Sequence, residues 1–162
     1  MRHLRAFVLI AMVALSASAS AQEPRIYLFW GASCPYSQAA LSFLRQERER
    51  EPNIELVELE TEGNLVHAVL LAKLFQMIGL PDLAMVPTVV IGSSITVGYV
   101  DDATTGQEIK ATLAACRKER CPDLIGRLSQ ELDQPDQASA TAKAPVKCSA
   151  LPQFRTHRQP GE

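Results

Sequence analysis

Several features that would announce a function are missing from this chain. There is no excess of one charge: 16 lysines and arginines stand against 18 aspartates and glutamates, a formal net charge of −2. The two signs are interspersed, which removes the basic stripe that a nucleic-acid footprint needs. Histidine is scarce, and His3, His67 and His157 lie too far apart to form a cluster, so no metal site is expected. No carboxylate pair, phosphate-binding loop or Ser-His-Asp arrangement emerges. The apolar run at residues 6–15 is too short to span a bilayer as a permanent anchor. Cysteine is limited to positions 34, 116, 121 and 148, too few for a small scaffold held by disulfides but enough to raise redox chemistry.

What is present is a globular composition, 47% hydrophobic and 21% charged, in 162 residues, room for one domain and a tail. Residues 1–21 have the three parts of a secretory signal. Arg2, His3 and Arg5 start it, the apolar run follows, and Ala19-Ser20-Ala21 forms a small-residue cleavage site. Cleavage between Ala21 and Gln22 would leave the chain periplasmic or secreted, where cysteines oxidise. Residues 133–162, broken by Pro135, Pro145, Pro152 and Pro160 and poor in large apolar groups, read as a flexible C-terminal tail. The domain is expected over residues 24–132.

Within it, residues 25–30 (RIYLFW) have too many apolar groups for alternation and read as a central strand covered on both faces. Residues 34–50 read as a helix with Pro35 in its first turn and Ala40, Phe43 and Leu44 on one face. A second strand is expected at 53–60. A helix starting at Gly63-Asn64 carries Val66, Val69, Leu70, Leu74 and Met77 at helical spacing. Residues 80–86 form an irregular apolar loop, which either borders a binding site or packs against Trp30 and the first helix. Residues 88–91 and 95–99 flank the turn Gly92-Ser93-Ser94 as a hairpin. Thr105 and Glu108 suggest a capping box before a last helix through Ile109, Leu113 and Cys116. The order β-α-β-α-β-β-α predicts an α/β fold: a four-stranded mixed sheet flanked by helices.

The chemistry concentrates at the first strand-to-helix junction. Cys34 stands where a helix leaves its first N–H groups unpaired, an environment that favours a thiolate over a thiol. Ser37, three residues on, lies over the same helix end, where its hydroxyl can donate to the Cys34 sulfur. Val86-Pro87 precedes the third strand, and Pro87 is either an ordinary strand-start proline or a cis-proline. Cys116 and Cys121 diverge on an unbroken helix, but Pro122 suggests that the helix ends before it, and a structural disulfide between them is expected. Cys148 is read as an unpaired tail thiol. Two alternatives stay open for it: reaching back to Cys34 as a resolving thiol, since closing a long loop costs little, or linking two chains.

On these residues the chain resembles the thioredoxin-like superfamily, nearest to glutaredoxins and secreted thioredoxin-like proteins. Cys34-Pro35-Tyr36-Ser37 matches the glutaredoxin C-P-Y-C motif with serine in second place, Pro87 falls where the family has its cis-proline, and Gly98 matches the glycine before the last helix. The resemblance implies a thioredoxin-like fold and a thiol–disulfide oxidoreductase, with Cys34 as the attacking cysteine assisted by Ser37. It implies that Pro35, Tyr36, Val86 and Pro87 line the substrate, that no cofactor is used, and that the partners are protein or peptide disulfides with glutathione or an external thiol as reductant. Gly31-Ala32-Ser33 lacks the basic residue that the family uses for glutathione. Ser37 cannot resolve a mixed disulfide, so the expected route is monothiol, as reductase or isomerase. The alternative is a non-catalytic binding or adaptor module for envelope proteins.

Overall fold

A computed structural model of the chain describes residues 23–119, 121–133, 147–148 and 155–156. The signal-like segment lies outside the described residues. The elements are β1 (Arg25–Trp30), α1 (Pro35–Arg50), β2 (Glu55–Glu60), α2 (Leu65–Met77), β3 (Met85–Val86), β4 (Thr88–Ile91), β5 (Ser94–Val97), α3 (Gln107–Glu119), α4 (Leu124–Leu132), β6 (Lys147–Cys148) and β7 (Arg155–Thr156).

β1 is the central strand because both of its faces are apolar. Ile26 and Leu28 join Ala40, Leu44, Ile109 and Leu113 in a core under α1 and α3. Tyr27 and Phe29 point the other way, into a core with Leu71, Leu74, Phe75, Ile125 and Leu128 of α2 and α4. The alternation of side chains along a strand thus feeds two helix layers from one continuous apolar run. β1 pairs in parallel with β2, Arg25 opposite Glu55 through Trp30 opposite Glu60. On its other side it pairs antiparallel with β4, Ile26 opposite Ile91 through Phe29 opposite Thr88. β4 and β5 close the expected hairpin. The expected mixed α/β sheet is therefore present, in the order β2-β1-β4-β5, and β7 of the tail extends it with two residues on the β5 edge.

Three expectations need correction. The last helix does not open on a Thr105–Glu108 capping box. Asp101 takes the cap, its carboxylate accepting the Thr104 N–H at 2.7 Å, and residues 102–106 make a wide turn into α3. Thr105 is buried, and its hydroxyl oxygen accepts the Val100 N–H at 3.1 Å. A further helix, α4, follows Pro122. Asp123 starts it by accepting the Gly126 N–H at 2.8 Å, while the same carboxylate receives the Tyr27 hydroxyl at 2.9 Å. The described part of the tail also does more than trail. Lys147–Cys148 and Arg155–Thr156 are both paired to the domain.

Residues 80–86 do both things at once: their apolar side chains pack into the core that also holds Cys34, Val86 borders the Cys34 sulfur, and Pro81 and Asp82 are exposed. Leu80 and Leu83 lean on the α2/α4 core, Ala84, Met85 and Val86 are buried within it, and the Leu80 N–H reaches the Phe75 carbonyl at 2.8 Å. They do not lie against Trp30, which belongs to the core on the opposite side of the sheet.

The expected Cys116–Cys121 disulfide is present, with Cα atoms 5.1 Å apart. α3 ends at Glu119, so Cys121 is free of the helical spacing that would have held the two sulfurs apart. The bridge packs under the β4–β5 turn at Gly92, where φ is +62° and an added Cβ would come within 2.3 Å of the Cys121 Cβ. Only glycine suits both the left-handed backbone and that approach.

Candidate functional site

Cys34 is the N-cap of α1. Its backbone is extended (φ −90°, ψ 113°), its N–H reaches the Gly31 carbonyl at 3.2 Å, and its carbonyl accepts the first α1 bond, from Gln38 N at 3.1 Å. Pro35 follows at the first helical position, where its missing N–H leaves no bond unmade. The first turn holds no acidic residue, so nothing on α1 itself opposes the positive end of the helix dipole beside the sulfur.

The side chain of Cys34 is 2% exposed and joins the core formed with Met85 and Val86. Its Sγ lies 3.8 Å from the Val86 carbonyl oxygen. The Val86–Pro87 peptide is cis, one of the two forms left open for it. Ser37 is fully buried, and its Oγ accepts the Gly31 N–H at 3.2 Å, tying the loop before Cys34 to the first turn after it. Pro35 and Tyr36 are exposed on the rim. Cys34, Val86 and Pro87 are therefore brought together, with Ser37 beneath and Pro35 and Tyr36 outside.

Cys148 completes the cluster. It is bonded to Cys34 across 114 residues of sequence, with Cα atoms 5.7 Å apart, so the alternative that it reaches back to Cys34 describes the structure and the unpaired tail thiol does not. The bond comes with a strand pairing. Lys147 and Cys148 lie parallel to Met85 and Val86, and the Lys147 N–H donates to the Ala84 carbonyl at 2.9 Å.

No protein-family model, curated protein or solved structure matches this chain. The site therefore rests on its own geometry.

One participant escapes the sequence. Glu62 accepts the Ser33 N–H at 2.8 Å and the Ser33 hydroxyl at 2.5 Å, clamping the residue before Cys34. These bonds, the hydroxyl's first, hold its carboxyl below the usual range. Gly31 makes room for it, since a Cβ there would stand 2.6 Å from Glu62 Oε1. No local pattern marks Glu62, because its partners are far off in sequence and only the β1–β2 pairing delivers it. His67 is half-buried and caps β2, with Nδ1 2.8 Å from the Glu60 carbonyl. Among the described residues, no group of three or more His, Cys, Asp or Glu side chains is placed to hold a metal. Nor is any described helix long and apolar enough to cross a membrane.

Proposed function

We propose that this is an exported protein of thioredoxin-like fold that performs thiol–disulfide exchange, with Cys34 as nucleophile and Cys148 as the thiol that resolves its mixed disulfides. The observation that carries the reading is the Cys34–Cys148 bond at the N-terminus of α1. Serine at position 37 excludes a resolving cysteine within the motif, and the tail supplies one from a distance. The two cysteines form a dithiol–disulfide couple in place of the monothiol route, and Cys34 alone meets the client.

In the reducing direction, the Cys34 thiolate attacks a client disulfide. A Cys34–client bond forms, and the other client sulfur leaves as a thiolate. The Cys148 thiolate then attacks the Cys34 sulfur, the second client thiolate leaves, and two electrons have passed from the cysteine pair to the client. An external thiol, glutathione or another, restores the pair. It reaches Cys148, which is exposed, and expels Cys34, whose thiolate the helix N-terminus stabilises as a leaving group. A second equivalent of external thiol frees Cys148. The two disulfides fit an oxidising compartment outside the cytoplasm.

The test is a cysteine-state map by alkylation and mass spectrometry, with exchange rates on a peptide disulfide. Wild type should turn over, Cys34→Ser should be inactive, and Cys148→Ser should accumulate a Cys34–client adduct. An inert Cys34 in reduced protein, under conditions that modify exposed thiols, defeats the proposal.

The near-complete burial of Cys34 favours a second reading, a binding module in which the bond is a permanent staple. That module would bind polypeptides equally well with Cys34→Ala and Cys148→Ala together, and its bond would resist thiols that reduce ordinary exposed disulfides.

A further inference from the structure

We infer that Glu62 sets the charge preference of Cys34: the site takes up disulfides whose reacting half is cationic, as in a basic cysteine-bearing polypeptide segment, and disfavours anionic ones such as glutathione disulfide. The inference rests on the exchange reading above and adds which class of disulfide that exchange admits.

Glu62 holds a fixed negative charge beside the attacking sulfur. Its carboxylate accepts the Ser33 N–H at 2.8 Å and the Ser33 hydroxyl at 2.5 Å, and Ser33 directly precedes Cys34. Gly31 leaves the space for that approach, since a Cβ there would stand 2.6 Å from Glu62 Oε1. Ser33 and Glu62 are both exposed, so the charge faces whatever reaches Cys34 from solvent. No cation on the neighbouring segments offsets it. β1, β2 and β5 end, and β4 begins, at this end of the sheet, which gathers residues 31–38, 60–67, 84–88 and 98–104. These contain no lysine or arginine. The other acids among them, Glu60, Asp101 and Asp102, are engaged by the Gly63 N–H, Thr104 and the Tyr99 hydroxyl, and His67 is turned to the Glu60 carbonyl.

The chain's own partner for Cys34 carries the opposite charge. Lys147 stands next to Cys148, and residues 138–162 hold Lys143, Lys147, Arg155 and Arg158 against one acidic side chain, Glu162. In the exchange step, the Cys34 thiolate bonds to one sulfur of the incoming disulfide and the other half leaves as a thiolate, with no net oxidation. The half that stays on Cys34 is brought near Glu62. Charges about 7 Å apart in water interact by about RT, which is about threefold in rate per unit charge.

The test uses the full mature chain carrying Cys148→Ser, in which each reaction stops at the Cys34 adduct. Adduct formation is timed by mass spectrometry with cystamine, whose halves are cationic, with glutathione disulfide, whose halves are anionic, and with neutral hydroxyethyl disulfide. The rate ratio of cystamine to glutathione disulfide is compared between chains, which cancels the intrinsic reactivity of each probe and the thiolate fraction of Cys34. The reacting halves differ by two charges, so Glu62→Gln should lower the ratio about tenfold, with the neutral probe in between. Glu62→Asp, which keeps the charge, should retain most of the ratio. So should Glu49→Gln, which removes the same charge at the far end of α1. Salt at about 1 M, where the screening length is about 3 Å, should bring the parent chain toward the Glu62→Gln value. A ratio unchanged by Glu62→Gln, or lowered equally by Glu49→Gln, overturns the charge preference and leaves the exchange reading standing. No reaction with any of the three probes overturns both.

Discussion

Cys148→Ser separates a tail held only by its disulfide from a tail built into the fold. A cross-link stabilises by the loop-closure entropy it removes from the unfolded chain, less what it removes from the folded one. The 114-residue separation between Cys34 and Cys148 makes the unfolded-state loop worth about 4.7 kcal/mol, the figure for loops on the order of 100 residues. In the folded, reduced protein, α4 already fixes the chain to Leu132, and the segment that must return to the site resumes at Lys147. Closing a loop of roughly 15 residues costs about 3 kcal/mol on the same scale. The bond should therefore contribute about 2 kcal/mol, and Cys148→Ser should lose that much. Urea unfolding of wild type and variant, both with Cys116–Cys121 intact, measures it from the two extrapolated unfolding free energies, each fitted with its own slope because losing the cross-link also expands the unfolded chain. A loss of 4 to 5 kcal/mol would mean that the tail stays docked without its disulfide, and would refute the premise that the bond alone holds it there.

Three further outcomes follow from the geometry. Ser37→Ala removes the acceptor of the buried Gly31 N–H and should cost about 1–3 kcal/mol in urea unfolding, whereas Ser37→Cys should yield turnover that no longer needs Cys148. Gly92→Ala forces a side chain into left-handed backbone and against the Cys121 Cβ, so a destabilisation of about 1–3 kcal/mol or more should appear as a lowered Tm. Glu58, bonded to Arg45 at 2.9 and 2.5 Å, has its carboxyl held below its ordinary value of 4.5, chiefly by that hydrogen bond. Its contribution is present above 4.5 and is lost as pH falls through the lowered value, so Glu58→Gln should flatten part of the acid limb of a stability–pH curve. An unchanged limb would show that the pair contributes nothing.

The strands and helices of the domain were legible because they are written in local periodicity. β1 and β4 occupy the residues read as strands, and α1 begins one residue after Cys34, at Pro35. α4 was not legible, because it is short and is held by packing Ile125 and Leu128 into a core that only the fold assembles. The capping box failed for a related reason: burial of Thr105 redirected its hydroxyl to Val100, and Asp101 held the cap. At the site, Cys34, Ser37, Val86 and Pro87 could be named because each occupies a characteristic position at an element boundary. Glu62 could not, since its role is made by strand pairing.

By itself, the sequence determined a mixed α/β order of elements, a cysteine at a helix N-terminus, no second cysteine in the motif and a Cys116–Cys121 spacing that permits a local bridge where the helix ends. These follow from spacing along a few turns of chain. Only the tertiary structure decided which cysteine answers Cys34. A tail thiol has three other cysteines open to it within the chain, and none is marked by periodicity. The choice falls to Cys34 because Lys147–Cys148 pair in parallel with Met85–Val86, which sets Cys148 opposite Val86, whose carbonyl lies beside the Cys34 sulfur.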